Sequence, residues 1–170
     1  MNIVWTQGNV SANERKIVML NIKENQKLNV MNILSYRGKI KQSELEDIGI
    51  EMEHYIHRLG ARKSGIPITA TYGVEGDTFD MEILMPIDRS IVSTDRFVFK
   101  KQIKIVNAVT ASYKGHPIGL QEACNQLNQY ITEHGLQPIT VGYNVTKKMD
   151  MLSLENMEID VYVGISPNIL

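Results

Sequence analysis

The chain has 170 residues, 43% hydrophobic and 22% charged, with 18 Lys plus Arg against 19 Asp plus Glu. A chain this long buries roughly 70% of its unfolded surface and needs neither disulfide nor metal to fold, and its single cysteine, Cys124, points to a reducing compartment. A net charge of −1, apolar runs too short to span a bilayer and an N-terminus without signal-peptide order exclude most DNA-binding modules, membrane proteins and secreted knottins, so a cytoplasmic protein is expected.

Residues 1–15 have no counterpart later in the chain and read as an N-terminal arm, with Trp5 capping a core edge. A long strand is predicted over Lys16–Tyr36, rich in Ile, Val and Leu, with Asn25-Gln26 as a turn within it. Leu45, Ile48, Met52, Tyr55, Ile56 and Leu59 then form one apolar stripe of an amphipathic helix. Ser43 and Glu46 suit a capping box, and Gly60 a left-handed C-cap. Strands over 67–74 and 79–87 follow, and residues 88–95 read as a connection.

A second long strand is predicted over Arg96–Tyr113. Pro117 suits a first helical turn, and the stripe Leu120, Ala123, Cys124, Leu127, Tyr130, Ile131 and His134 stops at Gly135. Strands near 138–145 and 157–165 close the chain.

The second run of elements repeats the first. Ser35-Tyr36-Arg37-Gly38 returns as Ser112-Tyr113-Lys114-Gly115, Tyr55-Ile56 as Tyr130-Ile131, and Pro67-Ile68-Thr69 as Pro138-Ile139-Thr140. The fold class is therefore α+β: one domain over 1–170, with a duplicated β-α-β-β unit in halves 16–87 and 96–166. An antiparallel sheet carries both helices on one face.

The last strand of each half alternates. Met157, Ile159, Val161, Val163 and Ile165 point one way, and Glu158, Asp160 and Tyr162 the other. Phe79, Met81, Ile83 and Met85 oppose Asp80, Glu82 and Leu84. Aligning Pro86 with Gly164 sets the acids at equivalent places. Alternation alone explains them as a solvated face, but strand centres disfavour Asp. A ligand surface of Glu158, Asp160 and Glu82, walled by Tyr162, Tyr113, Tyr143 and Tyr72, accounts for both. In such a groove, burial and like charge are expected to raise the carboxylate pKa values. His54, His57 and Glu53 lie opposite the apolar stripe and read as solvated, not as metal ligands. Cys124 sits on a buried stripe, and the lysines at 100, 101, 104, 147 and 148 form short clusters without an aromatic platform.

The turn Ser112-Tyr113-Lys114-Gly115-His116-Pro117, the helix with Leu127 and Tyr130-Ile131 ahead of Gly135, and the strand Glu158–Val163 resemble the gyrase-inhibitor-like superfamily. That superfamily includes effector-binding domains of bacterial multidrug and AraC-type regulators. The resemblance spans residues 27–166 and departs from the family at Gly164, where a proline is usual, and at His116-Pro117, where Pro-aromatic is usual. It implies a pseudo-twofold axis between the halves and a small-molecule groove on the helix-free face, whose acids complement lipophilic cations. It also implies a stand-alone module similar to single-domain members of Gram-positive bacteria.

The expected function is small-molecule binding through an acidic, aromatic groove, for lipophilic or cationic ligands. One alternative is an accessory protein of a toxin or secretion gene cluster, with a protein partner on the same face. A second is a hydrolase with a groove carboxylate as general base. No catalytic residue, cofactor, metal, nucleic acid or membrane is called for, and the sequence carries no signal for an oligomeric state.

Overall fold

A computed structural model of the chain describes residues 20–116, 119–148 and 156–167. Its elements run β1 (Asn21–Lys41), α1 (Leu45–Arg58), β2 (Ile68–Glu75), β3 (Thr78–Pro86), β4 (Val98–Gly115), α2 (Leu120–Glu133), β5 (Pro138–Lys148) and β6 (Met157–Ile165). The N-terminal arm, Trp5 and the role of Pro117 lie outside the described residues.

The molecule is mostly antiparallel sheet with two helices among the described residues, the α+β class expected. The sheet closes into a barrel in the order β1-β3-β2-β5-β6-β4, with β4 returning to β1. Closure comes from two long strands. The first part of β1 (Asn21 to Ser35) pairs with β4 from Ser112 back to Val98. Its later part, Ile33 to Lys41, pairs with β3. The end of β4, Ala108 to Gly115, pairs with β6. The helix-free face is thus the inside of a barrel, not the open second face of a sheet.

Strand alternation decides which side chains go where. On α1, Ile48, Met52, Tyr55 and Ile56 pack on Leu34 and Ile40 of β1 and on Phe79, Met81, Ile83 and Met85 of β3. On α2, Ala123, Cys124, Leu127 and Ile131 pack on Val109 and Ala111 of β4 and on Ile159, Val161 and Val163 of β6. The opposite parity faces inward. Ile33, Ile68 and Leu84 are almost fully buried there, and Leu28, Ile105 and Ala108 form a neighbouring inner cluster. Much of the barrel interior is therefore filled.

Two local expectations change. The strand runs straight through Asn25-Gln26. Asn25 takes a left-handed φ of 56° and the register slips on both sides of Gln26, so this is a bulge and not a turn. Asparagine tolerates that conformation because its short polar side chain costs little there. Ser43 lies inside a short 3₁₀ turn, Gln42–Glu44, instead of capping α1. The Glu44 carboxylate accepts the Lys41 N–H at 2.9 Å, closing the turn that leads into α1. Gly60 and Gly135, with φ of 72° and 62°, end the helices as expected.

Cys124 is 1% exposed, and burial pushes its thiol up to about 11. Cys124→Ala is expected to cost about 1 kcal/mol, read by urea unfolding. The native thiol should resist a bulky maleimide until the protein unfolds; rapid labelling would show that α2 does not cover it. Among the described residues, no helix is long and apolar enough to cross a membrane.

Candidate functional site

On the inner face, Glu82 of β3 is the most enclosed acid, with its side chain 6% exposed. The Ser35 hydroxyl of β1 and the Lys100 ammonium of β4 both donate to its Oε1. The Tyr72 hydroxyl of β2 donates to Oε2 at 3.1 Å. Burial alone pushes this carboxyl up; hydrogen bonds from Lys100 and Ser35, the Lys100 charge and the Tyr72 hydroxyl outweigh it and hold Glu82 below the usual 4.5. The raised value expected from sequence is thus reversed at Glu82, because the acid arrives already paired.

Tyr72 extends this network. Burial first, then the nearby Tyr143 and Glu82, keep its phenol strongly protonated. The Arg37 guanidinium lies 3.3 Å from the Tyr72 ring centroid and grips Asp80 with two hydrogen bonds of 3.0 and 3.1 Å.

Asp160 of β6 has a smaller shell. The Ser112 hydroxyl donates to it at 2.7 Å and Lys147 of β5 pairs with it at 2.5 Å. Glu158 pairs with Lys114 at 3.2 Å. Tyr162 and Tyr143 sit opposite each other on β6 and β5 and pack on the inner cluster of Leu28 and Ile105.

The strand register sets each acid against a particular neighbour. Arg37 faces Glu82, and Lys114 faces Glu158. Ser35 faces Leu84, whereas Ser112 faces Asp160. Glu82 thus shares with Glu158 a basic residue across the rung, and with Asp160 a serine that donates to its carboxylate.

Of the expected site residues, Glu82, Asp160, Tyr162 and Tyr143 share the inner face with Glu158 near its rim. Tyr113 does not join them. It has the parity of Val109 and Ala111 and packs under α2, with its hydroxyl donating to the His116 carbonyl at 2.5 Å. A β-carbon at Gly119 would overlap that hydroxyl, so glycine lets the ring close against the start of α2. Lys100, Lys147, Ser35 and Ser112 were missed as site residues. The two serines carry a signal, since both open the repeated Ser-Tyr-basic-Gly motif, one residue out of phase with the tyrosine that goes to the core.

The barrel wall has an opening. Strands β2 and β5 pair only from Ile68 to Ala70 against Val145 to Tyr143, and then part. Between them lies a cleft of 440 Å³ lined by Tyr72, Pro138, Ile139, Thr140, Val141 and Tyr143. Of its two tyrosines, Tyr72 reaches Glu82 through its hydroxyl. No group of three or more His, Cys, Asp or Glu side chains is placed to hold a metal among the described residues.

No protein-family model matches the sequence, and no curated protein matches it significantly. Solved structures do. The C-terminal domain of EcmrR superposes with a TM-score of 0.70 at 16% identity, covering 88% of this chain and 98% of that domain. Against EcmrR in its DNA complex within EcmrR-RPo, the TM-score is also 0.70 at 15% identity over 88% of this chain, which spans only 57% of that one. A hydrolase from Listeria innocua overlaps less, with a TM-score of 0.49 at 13% identity over 84% of this chain and 93% of its own, and carries no functional weight. At these identities the likeness concerns the fold, which is that of the EcmrR C-terminal domain.

Proposed function

We propose that the chain is a small-molecule-binding module of gyrase-inhibitor-like type, built as two β-α-β-β halves about a pseudo-twofold axis. It takes a lipophilic ligand in the cleft between β2 and β5. The fold shared with the EcmrR C-terminal domain and the repeated element order support this reading. The observation that carries it is the cleft itself: a largely apolar opening of 440 Å³ lined by Tyr72 and Tyr143, the first of which is anchored on the buried Glu82 carboxylate. Binding is favoured over hydrolysis because Glu82 and Asp160 are each engaged by a serine and a lysine, which leaves neither as a free general base.

Titration with the neutral dye Nile red, followed by fluorescence, tests the reading. Wild type is expected to bind in the micromolar range, and Tyr72→Ala to weaken binding by about tenfold through loss of one aromatic contact and its hydrogen bond. Absence of binding to folded wild type would overturn it. The parted edges of β2 and β5 favour a second reading, a partner peptide adding as a strand.

A further inference from the structure

Every acid of the inner face comes with its own cation. Lys100 is on Glu82, Lys147 on Asp160 at 2.5 Å, Arg37 on Asp80 at 3.0 Å, and Lys114 on Glu158 at 3.2 Å. These charges cancel pair by pair. Around Glu82 the cancellation is also geometric, since Ser35 and Lys100 occupy one oxygen and Tyr72 the other.

A protein recognises an organic cation chiefly through a desolvated carboxylate or through an aromatic face. Beside the cleft, the carboxylate and one face of Tyr72 are already taken. Lys100 sits on the carboxylate, and the Arg37 guanidinium covers a face of Tyr72 at 3.3 Å.

Resting on the ligand-cleft reading above, we propose that Lys100 is a tethered counter-ion that fills the cation position at Glu82, so that the cleft selects neutral lipophilic molecules over lipophilic cations. The physical basis is competition within one molecule. A group on a short tether acts at an effective concentration on the order of millimolar or higher. A free cation present at micromolar levels therefore loses to it unless it binds far more tightly. Displacement would also set the incoming cation beside a like charge, the freed Lys100 ammonium. A neutral ligand meets neither cost. It lies against Tyr143 and Ile139 and leaves the pairs intact.

The test compares neutral Nile red with cationic rhodamine 6G by fluorescence titration. Wild type is expected to bind Nile red at least tenfold more tightly. Lys100→Met should gain about tenfold or more for rhodamine 6G, the ratio set by one charge-assisted contact. Adding Glu82→Gln to that variant should remove the gain and keep Nile red binding. The order of the two dyes on wild type decides the matter even if Lys100→Met fails to fold. Rhodamine 6G binding wild type as tightly as Nile red, or a folded Lys100→Met without gain, would overturn the assignment of Lys100. Binding of neither dye would instead remove the ligand cleft on which the proposal rests.

Discussion

Lys100→Met is expected to destabilise the protein by about 3 kcal/mol at pH 7, because it leaves the buried Glu82 carboxylate without its counter-charge. Its pH dependence should differ in sign from that of wild type. In wild type the Glu82 carboxyl is held below 4.5 despite its burial, by Lys100, Ser35 and Tyr72. Its contribution is therefore fully present above 4.5 and is lost as pH falls through the lowered folded value. Without Lys100, burial dominates and the folded value rises above 4.5. Ionised Glu82 then opposes folding at pH 7, and this penalty is relieved as pH falls toward 4.5. Urea unfolding at pH 7 and pH 5 should show the deficit of the variant shrinking in acid. A deficit that stays constant would mean that Glu82 is better hydrated than its 6% exposure implies.

Leu127→Ala is expected to cost a comparable amount, about 3 kcal/mol. Leu127 is 1% exposed and stands between α2 and the helix-facing row Ile159, Val161 and Val163. Deleting its branched end removes contacts with β6, which is held by β4 and β5 on either side and cannot easily collapse into the space. Val106→Ala is the control. Val106 is 58% exposed, and its replacement should change stability by less than about 0.5 kcal/mol. Similar losses from both changes would show that burial under α2 is not what holds β6 in place.

The helix stripes and closing strands were legible because each repeats one simple period. Met52 and Ile56, or Leu127 and Ile131, can face only one way on a helix, and Phe79, Met81 and Ile83 only one way on a strand. Barrel closure was not legible. It depends on β1 and β4 pairing with each other across the whole chain, and a strand's sequence records which face is buried but not which strand lies beside it. Tyr113 was misplaced for a related reason. The stretch from Ile103 to Tyr113 switches its buried face along its length, as inward Ile105 and Ala108 give way to Val109 and Ala111 facing α2, so parity could not be carried through from either end. The lysines at 100 and 147 read from sequence only as members of short basic clusters. Only the fold brings Lys100 to Glu82 and Lys147 to Asp160.

The shared strands also govern how this chain reaches its native state. Asn21 meets Ser112, and Ser35 meets Val98, so β1 finds most of its partner only after a large loop has closed. Closing such loops costs chain entropy before any contact offsets it, which makes folding slow for a domain of this size. During synthesis, α1 and the β2–β3 hairpin emerge well before β4, while the first part of β1 still has an unpaired edge. A nascent chain in that state exposes Leu28 and Val30, and it is then, more than after release, that this protein is open to aggregation.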